Sequence, residues 1–108
     1  MDIGKSMWQI MVPCNFNSGK PVRTRHHKEW DKRVNKITGG LTILPPSKGM
    51  WVDKDTNDLY KERMIPVNII ATESQMQKIA DITIQHYRQL AVMYFKISDC
   101  AFIRYAKE

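Results

Sequence analysis

Cysteine is too scarce and too widely spaced in this chain to build a cross-linked scaffold. Cys14 and Cys100 are the only two. There is no CxxC pair and no Cys/His cluster at zinc-ligand spacing, so neither a disulfide framework nor a zinc module is expected. A reduced cytoplasmic protein follows as the simplest expectation. No apolar run approaches the roughly 18 residues of a membrane span. The first residues offer only Lys5 before a short apolar run broken by Gln9, so no membrane contact or secretion is expected. Also missing are a nucleophile elbow with a Ser/His/Asp order, an HExxH helix, a paired-carboxylate metal site and an aromatic RNA-binding strand motif. Gly39 and Gly40 are followed by neither Lys-Ser/Thr nor a GxGxxG pattern, and read as the cap of a helix C-terminus. No metal and no cofactor are expected.

What the chain does contain is one domain's worth of core. Its 108 residues are 43% hydrophobic and 26% charged, enough for a modest interior that a small protein often completes by self-association. The charge is unevenly placed. Between Lys20 and Lys36 stand seven cations (Lys20, Arg23, Arg25, Lys28, Lys32, Arg33, Lys36) against Glu29 and Asp31, which accounts for five of the net six positive charges. So local a concentration favours a discrete anion site over a general polyanion coat, and a nucleic acid partner is not expected.

Periodicity defines the elements. Residues 7–14 alternate, with Trp8, Ile10 and Val12 on one face, as a half-buried strand does. After a loop rich in Asn, Ser, Gly and Pro, Thr24 is placed to cap a helix with the stripe His26, Trp30, Val34 and Ile37, stopped at Gly39 and Gly40. Short extended pieces over 41–44 and 50–52 lead to a turn at Thr56, Asn57 and Asp58. A long strand then runs from Leu59 to Ala71, in which Pro66 implies an edge or a bulge. Thr72 and Gln75 have capping-box spacing ahead of a helix carrying Met76, Ile79, Ala80, Thr83, Tyr87 and Leu90. Residues 91–97 form the next strand, Ser98 and Asp99 a turn, and residues 101–106 a final returning strand. The order is that of an α+β, ferredoxin-like βαββαβ domain with an extra C-terminal strand and two helices on one face of an antiparallel sheet. The other face must meet water or another copy.

Candidate binding residues fall in three places. Arg23, Arg25 and His27 stand at a helix start, where free amides and guanidinium groups together suit phosphate or carboxylate; the alternative is a solvated helix face with Glu29 and Arg33 as an i,i+4 pair. His26 lies on the apolar stripe and is expected to pack. Tyr60 and Glu62 share one strand face, so Glu62 is either a functional carboxylate or an exposed residue paired across the strands to a lysine. Trp51 either stacks on a base or packs beneath a loop.

The segments Ile37 to Thr42, Gly49 to Trp51, Leu59 to Arg63, and the second helix followed by Leu90 to Phe95 resemble small phage proteins of the PII-like, ferredoxin-like trimer type. Within that group the layout is similar to phage S-adenosylmethionine lyases, with Tyr60-Lys61-Glu62 in the place of a Tyr-Arg-Glu strand motif. The resemblance implies a trimer with ligand sites between subunits. It also implies that Glu62 assists release of homoserine lactone, leaving methylthioadenosine. A looser architectural resemblance is to phage proteins that sequester nucleotide-derived immune signals in an anti-defence role. That resemblance implies phosphates against Arg23, Arg25 and His27, adenine on Trp51 or Tyr60, and Glu62 on a ribose hydroxyl or amine. Capture of an adenine-containing anionic nucleotide in a cleft between copies is the leading expectation, and the lyase is the alternative.

Overall fold

A computed structural model describes residues 3–107. Its elements are β1 (Ile3–Pro13), α1 (Thr24–Thr38), β2 (Thr42–Ile43), β3 (Ser47–Val52), β4 (Leu59–Ala71), α2 (Glu73–Tyr87) and β5 (Tyr94–Ile103). The strands form one antiparallel sheet in the order β2-β4-β1-β5, with β3 also on β4. Taking β2 and β3 as one interrupted strand gives the expected ferredoxin-like order, with both helices on one side.

The alternation read in β1 is what seats those helices. Ile10 lies opposite Val67 and Trp8 opposite Ile69. These four, with Val12 and Ala71, are buried against Trp30 and Val34 of α1 and Met76, Ile79 and Tyr87 of α2. Two large aromatics in this core carry polar handles that must be satisfied. The Trp8 indole donates to the Ala71 carbonyl at 3.0 Å. The Trp30 indole donates at 3.0 Å to the hydroxyl of Thr83, which donates to the Ile79 carbonyl. Thr83 is the one buried polar residue among the described residues. A valine there keeps the shape but strands the Trp30 N–H, so Thr83→Val is expected to cost about 1–3 kcal/mol in urea unfolding, and Thr83→Ser clearly less.

The helix ends differ from each other as their sequences do. α2 begins with the expected capping box, Thr72 accepting from the Gln75 amide while the Gln75 side chain accepts from the Thr72 amide. α1 is capped not by Thr24 but by Arg23, whose side chain makes no cap bond, so its first amides have no side-chain cap. Gly39 ends α1 at φ 82, a left-handed conformation that favours glycine. Leu90, placed on the α2 stripe by periodicity, lies beyond the helix and is 97% exposed.

Pro66 sits in an interior strand, and the bulge reading explains how. The Leu44 amide donates to the Pro66 carbonyl at 2.9 Å, so the missing Pro66 N–H faces the β2–β3 junction. The pairing slips there by one residue, from Ile43 opposite Val67 to Ser47 opposite Met64. Pro45 and Pro46 occupy the slip and cannot ladder in any case.

Residues 101–103, expected to return as an extra strand, instead continue β5. Ser98 and Asp99 make a bulge rather than a turn. Lys96 lies opposite Trp8, Ser98 opposite Met7 and Ala101 opposite Lys5, so two single-residue slips keep the strand on β1. Bonds of the Ser98 hydroxyl to the Cys100 backbone satisfy groups the ladder leaves free. The fifth strand of the sheet therefore comes from the divided second strand.

Candidate functional site

Beyond Met64, β4 has left β1 and pairs with β3 alone, making a two-stranded arm that extends past the sheet. Register and alternation give the arm two unlike sides. Trp51 lies opposite Tyr60 and Gly49 opposite Glu62, and these share the open side of the sheet, away from the helices. Lys48 opposite Arg63, and Met50 opposite Lys61, share the helix side. The Trp51 and Tyr60 rings are stacked, centroids 4.6 Å apart at 17°. Glu62 is exposed, and no ion pair joins it among the described residues. Its cross-strand neighbour is a glycine rather than a lysine, which leaves room above the carboxylate beside two aromatic rings.

A second feature of the open side went unread in the sequence. A hollow of about 450 Å³ lies where the α1–β2 turn meets the starts of β1 and the end of β4, bordered by Lys5, Met7, Gly40, Thr42, Asn68 and Tyr105. Gln9 donates to the Asn68 side chain at 2.9 Å and so holds it in place. Gly40 has open space where a Cβ would stand. The glycine pair that stops α1 also forms part of this wall.

The basic segment stands on the other side of the sheet. Arg23 borders an open hollow of about 500 Å³ with Lys20 and Thr24. Arg25 pairs with Glu29 at 3.8 Å, both largely exposed, in place of the expected Glu29–Arg33 pair. His27 turns inward, its Nδ1 2.7 Å from the Tyr87 hydroxyl. Burial, then the neighbouring His26 and His86, hold its pKa below the ordinary value. The Tyr87 hydroxyl is pushed well above the usual tyrosine range by burial, with Asp31 and Cys14 adding to it. Within one protomer, then, Trp51, Tyr60 and Glu62 come together, and Arg23, Arg25 and His27 do not join them.

His26 packs as expected, with Phe16 and Tyr87 edge-on to it, and it meets a residue that the sequence did not single out. Its ring stacks on His86, centroids 3.9 Å apart. Its Nε2 lies 2.6 Å from the His86 carbonyl, and the His86 Nε2 lies 2.7 Å from the His26 carbonyl. Burial holds the His86 pKa below its ordinary value against the upward pull of its hydrogen bond to the His26 backbone, with the charges of His26 and Arg33 lowering it and that of Glu29 raising it. The two histidines are sixty residues apart in sequence, so no spacing rule brings them together.

No family model and no curated protein matches the chain. Solved structures do define its class, the ferredoxin-like fold of PII-like proteins. The chain is similar to a phage S-adenosylmethionine lyase in complex with S-methyl-5'-thioadenosine, at 14% identity and a TM-score of 0.66 over 92% of this chain and 88% of that one. It is also similar to a CutA from Archaeoglobus fulgidus, described as a periplasmic divalent cation tolerance protein, at 10% identity and 0.57 over 100% and 87%. CutA1 from Oryza sativa aligns at 11% identity and 0.59 over 97% and 84%. At these identities the likeness establishes the fold.

Proposed function

We propose that this chain binds a positively charged adenine nucleoside on the open side of its sheet, and that S-adenosylmethionine is cleaved there to methylthioadenosine and homoserine lactone. The observation that carries this reading is the sidedness of the arm. The Trp51–Tyr60 stack and Glu62 offer π faces and one uncompensated carboxylate, while Lys48, Lys61 and Arg63 are turned to the opposite side. Such a surface attracts a cation carrying an aromatic base and repels a phosphate. The similarity to a lyase in complex with S-methyl-5'-thioadenosine supports the same choice.

The site is completed by a second copy. Glu62 and Asn68 lie six residues apart on one strand, about 20 Å at roughly 3.3 Å per residue, so no single nucleoside touches both on one protomer. An arm from a neighbouring copy closes over the hollow instead, in a cytoplasmic trimer. Apolar side chains on the open side, Phe95 at 42% exposure among them, suit burial between copies. The chemistry asks little of acids and bases. A carboxylate oxygen of the substrate attacks its own γ-carbon, the C–S bond breaks, and the electron pair neutralises the sulfonium. No proton needs to move, so Glu62 acts by holding the substrate's ammonium so that the chain folds toward its own γ-carbon.

Chromatography of the protein incubated with S-adenosylmethionine tests this directly. Methylthioadenosine with one equivalent of homoserine lactone is expected, and unchanged substrate refutes the lyase. Capture of an anionic nucleotide without turnover is the second reading, favoured by the exposed Lys20 and Arg23 around their hollow. It requires instead that a phosphate-bearing adenine nucleotide be retained through gel filtration and released intact by heat. Either activity would serve a phage against its host in the host cytoplasm.

A further inference from the structure

We infer that the junction of the two helices is a metal-binding site of the zinc type, with His26, Glu29 and His86 as its protein ligands. One ligand-capable atom from each of the three lies within 4.8 Å of the others. His26 and Glu29 are three residues apart on α1 and therefore share a face. His86 arrives from the last turn of α2.

The hydrogen bonds around the rings are those of a prepared ligand set. Each Nε2 faces a backbone carbonyl, that of His86 for His26 and that of His26 for His86. A carbonyl only accepts, so each Nε2 carries the proton and each Nδ1 carries the lone pair. Metal-bound histidines hold their other ring nitrogen in this way, on a carbonyl or carboxylate that fixes tautomer and orientation. The Arg33 guanidinium confirms the polarity by donating toward the His86 Nδ1 at 3.4 Å.

Two imidazoles and one carboxylate form a set that suits zinc, copper or nickel over magnesium or calcium. Three protein ligands leave one coordination position for water. Binding requires two cations to withdraw, Arg33 from His86 and Arg25 from Glu29. Arg25 is 92% exposed and Arg33 lies at the surface, so both can swing into solvent. The stacked rings, 24° from parallel, must also splay for their lone pairs to converge. The bound ion would tie the start of α1, which has no side-chain cap, to the end of α2. The site is remote in position and chemistry from the open side of the sheet, and does not depend on the function proposed there.

Isothermal titration of the whole protein with Zn²⁺ is the test, with Mg²⁺ as the comparison ion. One zinc per chain is expected. Glu29→Gln and His86→Gln should each weaken it at least tenfold, and magnesium should give no heat. Glu29 is exposed, so Glu29→Gln remains informative if the histidine variant misfolds. Substitution with Co²⁺ should give visible bands of a nitrogen and oxygen site, without the ultraviolet band of a cobalt thiolate, and Cys14→Ser should leave them unchanged. No zinc binding, affinity unaltered in Glu29→Gln, or a thiolate band lost in Cys14→Ser would each overturn the assignment.

Discussion

Glutamine in place of Glu62 is expected to lower kcat/KM for S-adenosylmethionine cleavage by about 10²–10³-fold, the usual loss when one preorganised electrostatic group is removed. The substitution keeps size and one acceptor oxygen and deletes the charge. Glu62 is exposed and lies opposite Gly49, so the thermal midpoint should stay where it is. An acid needed only for the arm's fold would show the reverse, a lowered midpoint with activity retained per folded molecule. Glu62→Asp should recover part of the rate if charge is what matters, since the carboxylate is kept and only drawn back by one methylene.

Phe95→Arg is expected to convert the assembly to monomers and to abolish nucleoside binding with it. Phe95 lies opposite Gln9 on the open side and is 42% exposed in one protomer, so the fold loses little by the change. Between copies, the same guanidinium would be buried without a partner, a cost of about 3–5 kcal/mol. That corresponds to roughly 10²–10⁴-fold in association. Sedimentation velocity reads the assembly and equilibrium dialysis with methylthioadenosine reads the site. If the variant is monomeric and binds as tightly as the parent, the site belongs to a single chain.

Much of this molecule was legible because local rules and tertiary structure agree. The alternation of Trp8, Ile10 and Val12 and the Thr72–Gln75 box point to β1 and α2, and Pro66 points to an edge or a bulge, which is met as the slip between β2 and β3. The misreadings have a common cause, which is that local signals are silent on what a segment packs against. Ser98 and Asp99 have turn chemistry, yet β1 offers a continuous edge and they are absorbed as a bulge. His27 is read with Arg23 and Arg25 as an anion-binding group by its place at a basic helix start, and is claimed by Tyr87, sixty residues away. The Tyr60–Glu62 alternation was legible; within one protomer strand pairing puts these residues and the basic segment on opposite sides of the sheet, and the cavity expected to hold both is one between copies.

The most direct test of a site shared between copies is complementation between two crippled variants. Glu62→Gln lacks the arm's carboxylate. Gly40→Phe fills the hollow from a position with open space around it. Each alone should release methylthioadenosine at no more than about a hundredth of the parental rate. Unfolded together and refolded as mixed assemblies, they should regain a fraction of parental activity, because some sites then pair an intact hollow with an intact arm. A wild type that releases methylthioadenosine, with mixtures as inactive as their components, would contradict the account.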